Sequence, residues 1–322
     1  MGILTLIDML TQLFILVCSL FLVVFCANYL VEGSSLIAKK AGVNEFMIGL
    51  FIVGMGTSLP ELVVSMVGAF EGNSDVAIGN IIGSNIFNTG MILGLSAVIA
   101  PIAVSEVNSR RDIPFMLMAT ALFLLMGLGS GGINRIEGVT LVLFFAMYVY
   151  YLIKFDKKEI DSYYEIPSGL MSQSLSGAII IVVGSIIGLI IGGKLFVDSA
   201  IKLGHLWNIS DKVIAITVLA FGTSLPELAT CIVAIVKKHS QMALGDIIGS
   251  NIFNILLIIG LSSIVHPVGF QNINIVDVIA FAACMFIVFI SQHTTHKGVI
   301  TRFDGVAMLM TFVIYIILLF NL

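Results

Sequence analysis

The chain contains two copies of one segment, residues 31–101 and 197–267, which align without a gap at a constant offset of 166 residues (197 minus 31). Each copy contains the sequence GTSLPEL, beginning at Gly56 and at Gly222, and continues 27 residues later (83 minus 56) with the sequence GSNIFN. An internal repeat of this size indicates a fold built from two equivalent structural units.

The composition indicates that both units lie in a lipid bilayer. Hydrophobic residues make up 59 % of the chain and charged residues only 11 %, with a mean hydropathy of +1.13. A soluble domain carries about 25 % charged residues. Helices that cross a hydrocarbon core of about 30 Å need about 20 apolar residues. We therefore predict an all-α integral membrane protein with ten transmembrane helices, at residues 9–37, 45–70, 76–100, 113–129, 137–154, 173–203, 211–236, 241–265, 275–292 and 303–321.

The longest polar interruption divides the ten helices into two groups of five. It runs from Lys154 to Ser172, and we interpret it as a linker because it is too short for a folded regulatory domain. The predicted units are a first half at 1–154, a cytoplasmic linker at 155–172 and a second half at 173–322. Because five is an odd number, the second repeat enters from the opposite side, which makes the halves inverted repeats.

The placement of lysine and arginine predicts the orientation in the cell membrane, since these residues favour the cytoplasmic side. With the N-terminus outside, eleven of them fall in inner loops or helix ends: Lys39, Lys40, Arg110, Arg111, Lys154, Lys157, Lys158, Lys237, Lys238, Lys297 and Arg302. Four fall on the outer side: Arg135, Lys194, Lys202 and Lys212. We therefore expect a multi-pass protein with both termini extracellular.

Each GTSLPEL motif places a proline and a glutamate in the middle of an apolar run. Pro60 and Pro226 each remove one helix hydrogen bond and crowd the carbonyl four residues back, which predicts a broken helix. Glu61 and Glu227 have no Lys or Arg within reach on their own helices, although a carboxylate at mid-membrane costs on the order of 3 kcal/mol. Such paired interruptions with intramembrane charge indicate a transporter's binding site rather than two structural kinks.

The helix after each motif carries a second set of polar residues. Positions four apart share one helix face, and the two sets are Asn80, Ser84 and Asn88, and Asp246, Ser250 and Asn254. Asn85 and Asn251 lie off these faces, where polar contact between helices is the alternative to ion binding. Oxygen ligands without imidazole or thiolate favour hard cations over Zn²⁺, Cu⁺ or Fe²⁺. Two carboxylates balance one Ca²⁺, and several Na⁺ could compete for the same oxygens.

At these residues the chain resembles the Ca²⁺/cation antiporter superfamily, and most closely its prokaryotic Na⁺/Ca²⁺ exchanger branch. The GTSLPEL and GSNIFN segments look like that family's two α-repeats, and the resemblance covers both five-helix halves. The resemblance implies that Glu61 and Glu227 are the main Ca²⁺ ligands, joined by Thr57 and Thr223. It further implies that Na⁺ sites are formed with the help of Ser58, Ser84, Ser224, Ser250 and the carbonyls near Gly54 and Ala220. Asn88 and Asn254 would complete the central ring.

The function implied is secondary antiport that exports Ca²⁺ against Na⁺ by alternating access, with net charge movement. Ca²⁺ and Na⁺ are the expected partners within the lipid bilayer, and no cofactor, nucleic acid or obligatory protein partner is expected. Some relatives, including K⁺-dependent exchangers, carry Asp in place of Asn88 or Asn254, so the two asparagines weaken a K⁺-dependent interpretation. We do not find the acid-containing motif of the Ca²⁺/H⁺ branch. A cation channel would more naturally use a ring of identical subunits.

Three other polar positions give weaker indications. Asp246 stands where the first repeat has Asn80, and we expect it to face a vestibule rather than to bind a cation or a proton. Glu32 and Asp198 match across the repeat and are candidates either for entry paths or for helix contacts. No HExxH, GxSxG or P-loop sequence occurs, so the chain is not predicted to be an enzyme. A structural or sensor protein would leave both motif carboxylates buried without a purpose.

Overall fold

The computed structural model describes residues 3–155, 173–207, 222–271, 273–294 and 298–320, and most of them are helical. The helices of the first half are α1 (Ile3–Ala41), α2 (Glu45–Ile48), α3 (Met55–Thr57), α4 (Leu59–Phe70), α5 (Ser74–Ile86), α6 (Gly94–Ile99), α7 (Glu106–Arg110), α8 (Asp112–Ser130) and α9 (Arg135–Phe155). Those described in the second half are α10 (Leu175–Leu206), α11 (Leu225–Val236), α12 (Ser240–Ile252), α13 (Ile259–Val265), α14 (Ile275–Thr294) and α15 (Arg302–Phe320).

The lengths of these helices confirm a multi-pass membrane protein. Among the described residues, eight helical stretches are long and apolar enough to cross a membrane, and the bent pair Glu45–Thr57 and Leu59–Phe70 makes a ninth. These stretches coincide with nine of the ten predicted runs. Of the seventh run, residues 222–236 are described and include α11, whereas residues 211–221 lie outside the described part, as do residues 156–172 of the predicted linker. The first and sixth spans are the longest, as predicted, with 39 residues in α1 and 32 in α10.

The first GTSLPEL motif breaks its helix at Ser58, with a 46° bend between the two parts. Pro60 is the second residue of α4, and Pro226 occupies the same place in α11. The N–H groups of a helix's first turn have no partner within the helix, so proline is accommodated there without loss of a bond. In each repeat the proline therefore begins a new helix, and the glutamate follows it in the first turn.

In the described part of the chain, π-helical segments adjoin the α-helices at Gly49–Gly54, Phe87–Leu93 and Phe253–Ile258, and they were not predicted from the sequence. The last two begin at the phenylalanine of each GSNIFN motif, so this segment is present in both copies of the repeat. In a π turn each N–H group bonds to the carbonyl five residues back instead of four. The side chains that follow are therefore rotated away from the helix face that residues four apart would share. Asn88 and Asn254 lie within these segments and therefore have different partners from Ser84 and Ser250.

Among the described residues, two short antiparallel ribbons join the halves. β1 (Ile102–Ala103) pairs with β4 (Val299–Ile300), and β2 (Gly132–Ile133) pairs with β3 (Val268–Gly269). Adding the repeat offset to β1, which directly follows the first copy, gives the positions of β3 (102 plus 166 is 268), and β2, which lies beyond the aligned segment, falls one residue short of β4 at the same offset (132 plus 166 is 298). The repeat relation therefore maps each ribbon onto the other.

Glycines bring helices of opposite halves into backbone contact close to the motifs. A Cβ atom on Gly49 would lie 2.3 Å from the Met242 carbonyl oxygen, and one on Gly245 would lie 2.2 Å from the Phe46 carbonyl oxygen. Membrane helices approach closely where small residues face each other. This contact holds α12, which carries the second set of polar residues, against the first part of the broken helix in the other repeat.

Candidate cation-binding site

The two motif glutamates are buried and are hydrogen-bonded to serines of the opposite repeat. Glu61 and Glu227 are each 0 % exposed. The Ser58 hydroxyl donates to Glu227 Oε1 at 3.2 Å, and the Ser224 hydroxyl donates to Glu61 Oε1 at 3.1 Å. The two bonds are related by the repeat offset, since 58 plus 166 is 224 and 61 plus 166 is 227. Each repeat therefore supplies a donor to the carboxylate of the other.

Each carboxylate retains one oxygen without a hydrogen-bond donor. Within the described ranges, neither Glu61 Oε2 nor Glu227 Oε2 has a partner, and the ion pairs seen there involve other acids. A buried charge without a counter-charge costs several kcal/mol. The first helical turn offsets part of this cost through the helix dipole, and a bound cation would offset most of the rest.

A further hydroxyl contacts the first carboxylate, and a second group of oxygens surrounds the Gly54 carbonyl. The Ser84 hydroxyl donates to Glu61 Oε1 at 3.4 Å. The Gly54 carbonyl accepts from the Thr57 hydroxyl at 3.3 Å and from the Ser250 hydroxyl, which belongs to the second repeat, at 3.2 Å. The three hydroxyl residues are at most 2 % exposed. The chain thus buries neutral oxygens of both repeats, one of them bonded to Glu61 and the others grouped at the Gly54 carbonyl.

Four asparagines form a second set of contacts between the repeats. The Asn88 amide donates to Asn251 Oδ1 at 3.4 Å, and the related Asn254 amide donates to Asn85 Oδ1 at 3.3 Å. The Asn251 amide also donates to the Thr89 hydroxyl at 2.8 Å. Asn85 and Asn251 therefore make the helix contacts considered from the sequence. Oδ1 of Asn88 and of Asn254 has no donor among the described residues, which leaves both oxygens free to bind a cation.

The expectation that Asp246 faces a vestibule is wrong. The residue is 1 % exposed, and its Oδ2 atom accepts a hydrogen bond from the Thr230 hydroxyl at 2.8 Å. The close approach of α12 to the other repeat buries this side chain, which spacing along one helix could not reveal. Thr230 itself was missed, although its position three residues after Glu227 places it on the glutamate's helix face.

The remaining candidates fall into two groups. Thr223 is partly buried and lies beside the Glu61 carboxylate, whereas Ala220 lies outside the described residues. Glu32 forms an ion pair with Lys237, which favours the helix-contact alternative, and Asp198 is exposed. No three His, Cys, Asp or Glu side chains in the described part of the chain converge on one metal position. The carboxylates are thus supplemented by neutral oxygens, a set typical of hard cations.

Oxygen ligands shared between broken helices of two repeats are typical of ion-coupled membrane transporters. A model of the family described as "Sodium/calcium exchanger protein" matches residues 11–154 and 177–321. The chain therefore belongs to the sodium/calcium exchanger protein family.

Individual relatives match almost the whole chain. The chain is 33 % identical to the sodium/calcium exchanger MaX1 of Methanosarcina acetivorans, with 95 % of this chain and 97 % of the relative covered. It is 32 % identical to the putative antiporter CaxA of Alkalimonas amylolytica, with coverage of 96 % and 98 %. A solved structure of the sodium-calcium exchanger NCX_Mj, soaked with 2.5 mM Na⁺ and 0.1 mM Ca²⁺, matches with a TM-score of 0.80 at 30 % identity over 98 % of both chains.

Proposed function

We propose that this member of the sodium/calcium exchanger family exchanges Na⁺ for Ca²⁺ by alternating access, and that it exports Ca²⁺ from the cell. The proposal rests above all on Glu61 and Glu227, buried carboxylates that each have one oxygen without a donor among the described residues. One Ca²⁺ would neutralise both charges. Na⁺ ions that compete for the same oxygens would displace it, and this competition would couple the two fluxes.

The proposed ligands are those expected from the sequence. Glu61 and Glu227 would bind Ca²⁺ with Thr57 and Thr223. The other positions, which would form Na⁺ sites and a central ring, are Ser58, Ser84, Ser224, Ser250, the carbonyls near Gly54 and Ala220, Asn88 and Asn254. The free Oδ1 atoms of the two asparagines support their inclusion. Ala220 enters by its repeat relation to Gly54, since 54 plus 166 is 220.

The arrangement we propose has ten helices in two inverted halves, 1–154 and 173–322, with a cytoplasmic linker at 155–172. In the predicted topology β1 and β4 belong to inner loops, and β2 and β3 belong to outer loops. The observed pairings join only strands predicted to lie on the same side. Exchange of the two ribbons under the repeat relation also supports inversion. Both termini would then be extracellular.

An asymmetry between the two ends of the molecule supports alternating access. Lys237, just after α11, forms an ion pair with Glu32 of α1. The positions related by the offset are Glu71 (237 minus 166) and Asp198 (32 plus 166), two exposed acids that cannot pair with each other. The ion pair would therefore hold one end closed, whereas two acids cannot form such a pair at the other end. Movement of α1 and α10 over the repeats would close the second end and open the first.

The proposed cycle moves net charge. Two Na⁺ would neutralise Glu61 and Glu227, and the neutral oxygens beside them leave room for more. We therefore expect more than two Na⁺ per Ca²⁺, so that net positive charge enters the cell with Na⁺ while Ca²⁺ leaves. An inside-negative membrane potential would then favour export.

Uptake of ⁴⁵Ca²⁺ into proteoliposomes tests the exchange. Vesicles loaded with Na⁺ should accumulate Ca²⁺ only while Na⁺ is higher inside, and addition of K⁺ should have no effect. Uptake driven by a pH gradient without Na⁺ would instead identify a proton antiporter, and a strict K⁺ requirement a K⁺-dependent exchanger. Ca²⁺ flux without countertransport of Na⁺ would identify a channel.

A further inference from the structure

The two repeats differ in charge at a position beside the proposed site that is buried in the second repeat. Asp246 in α12 corresponds to Asn80 in α5, since 80 plus 166 is 246. The Asn80 amide donates to the Ser65 hydroxyl at 3.0 Å and to the Glu61 carbonyl oxygen at 3.2 Å. An ionised Asp246 can only accept hydrogen bonds. The second repeat thus carries a buried carboxylate where the first carries a donor.

The surroundings of Asp246 contain more acceptors than donors. Oδ1 of Asp246 has no donor among the described residues. The Thr57 and Ser250 hydroxyls lie beside this carboxylate, but each has a single hydrogen. The Thr57 hydroxyl is directed at the main-chain carbonyls of Val53 (3.0 Å) and Gly54 (3.3 Å). The Ser250 hydroxyl donates to the Gly54 carbonyl at 3.2 Å. A group of buried oxygen atoms with too few hydrogen-bond donors is a favourable position for a cation.

A close backbone approach brings these oxygens together. A Cβ atom on Gly54 would lie 2.8 Å from the Asp246 carbonyl oxygen and 3.2 Å from the Ser250 hydroxyl, so only glycine allows this contact without displacement. No three acids in the described ranges converge on one metal position. Asp246 therefore does not surround one ion together with both Glu61 and Glu227, and its free oxygen is available to another ion.

We propose that Asp246 is the carboxylate ligand of an additional Na⁺, which is also bound by the Gly54 carbonyl and by the hydroxyls of Thr57 and Ser250. A single carboxylate balances a monovalent ion, whereas Ca²⁺ is matched by the glutamate pair. With three acids present, one Ca²⁺ leaves a negative charge uncompensated, and one Na⁺ per acid leaves none. Asp246 thereby sets the number of Na⁺ exchanged per Ca²⁺. This inference rests on the proposed Na⁺/Ca²⁺ exchange.

The test replaces Asp246 by the residue of the other repeat. We expect D246N to lower the coupling ratio, measured from reversal potentials in proteoliposomes, by about one Na⁺ per Ca²⁺. Equilibrium binding of ²²Na⁺ to the purified full chain should fall by about one ion per molecule. The matched control is D304N, which makes the same change at a buried acid that instead accepts hydrogen bonds from Thr301. The proposal is supported if D304N binds as many Na⁺ ions per molecule as the wild type and D246N binds fewer.

Three results would overturn it: an unchanged Na⁺ count in D246N, an equal reduction in D304N, or no Tl⁺ at Asp246 in wild-type crystals soaked with this heavy monovalent ion. The crystal measurement decides the question even if D246N does not fold. Failure of the proposed function itself would appear differently, as wild-type vesicles that show no Na⁺-dependent Ca²⁺ uptake. If wild-type vesicles exchange the ions and D246N keeps the same ratio, only the role assigned to Asp246 is wrong.

Discussion

Ser58 of the first repeat donates a hydrogen bond to Glu227 of the second, with 3.2 Å between the hydroxyl and carboxylate oxygens. Ser58 lies at the break between α3 and α4, and Glu227 lies in the first turn of α11. The related bond from Ser224 to Glu61 completes the connection at 3.1 Å. A cation that binds either carboxylate therefore binds a group that also contacts the other repeat, so ion occupancy acts on a contact between the halves.

The first prediction concerns the paired carboxylates. E61Q and E227Q should each abolish Ca²⁺ transport while leaving the protein folded, because each change removes half of the pair's negative charge with little change in size. Removing one partner from a buried charge interaction costs about 3–5 kcal/mol, or at least about 100-fold in affinity. The measurement is ⁴⁵Ca²⁺ exchange in proteoliposomes, with gel filtration as the test of folding.

The matched control for these variants is E106Q, at an exposed glutamate in α7. This variant should fold and should keep measurable exchange, because Glu106 lies in solvent rather than beside the buried carboxylates. Transport close to wild-type rates in E61Q or E227Q would place the Ca²⁺ site elsewhere.

The second prediction concerns the membrane potential. If more than two Na⁺ enter per Ca²⁺, an inside-negative potential should accelerate Ca²⁺ export and increase the final Ca²⁺ gradient. Each net charge that crosses the membrane contributes about 2.3 kcal/mol per 100 mV. The experiment clamps vesicles with valinomycin at fixed ion gradients. A final Ca²⁺ distribution that is independent of the imposed potential would show that the exchange is electroneutral.

The third prediction concerns the backbone contact between the halves. G245A should destabilise the protein by about 1–3 kcal/mol, the usual range for overpacking, because its Cβ would lie 2.2 Å from the Phe46 carbonyl oxygen. G129A is the control, since a Cβ there meets nothing within 4 Å and alanine favours a helix by up to about 1 kcal/mol. Thermal unfolding in detergent measures both variants. Equal midpoints for the two would contradict the close contact.

The fourth prediction concerns the ion pair between Glu32 and Lys237. The two side chains are 13 % and 26 % exposed, and a partly screened pair contributes about 1 kcal/mol or less. K237Q should therefore shift the balance between the two access states by at most about five-fold. Hydrogen exchange in α11 should become faster for the same reason.

Charge reversal provides the control for this ion pair. The double variant E32K/K237E should restore slow hydrogen exchange, because opposite charges again face each other. R110Q, which breaks an ion pair with Glu106 whose side chains are 79 % and 76 % exposed, should leave α11 unchanged. Exchange in α11 that is identical in K237Q and wild type would show that this pair does not hold the end closed.

The sequence alone determined the main features of this protein that depend on short stretches of chain. Apolar runs of about 20 residues predicted the spans, and α1, α8 and α9 are found at the predicted places. Proline followed by glutamate predicted the broken helix, because the missing N–H is a property of the residue itself. The constant offset of 166 identified which residues are equivalent, and the family resemblance named the candidate ligands.

Tertiary structure decided which of these groups meet and which remain unpaired. The bond between Ser58 and Glu227 joins residues 169 positions apart, and no local spacing specifies such a contact. The burial of Asp246 likewise depends on the glycines that allow α12 to approach the other repeat. Residue types limit what a side chain can donate or accept, but only packing determines whether a donor is present. An unpaired buried oxygen, and hence a place for a cation, is therefore a property of the assembled helices.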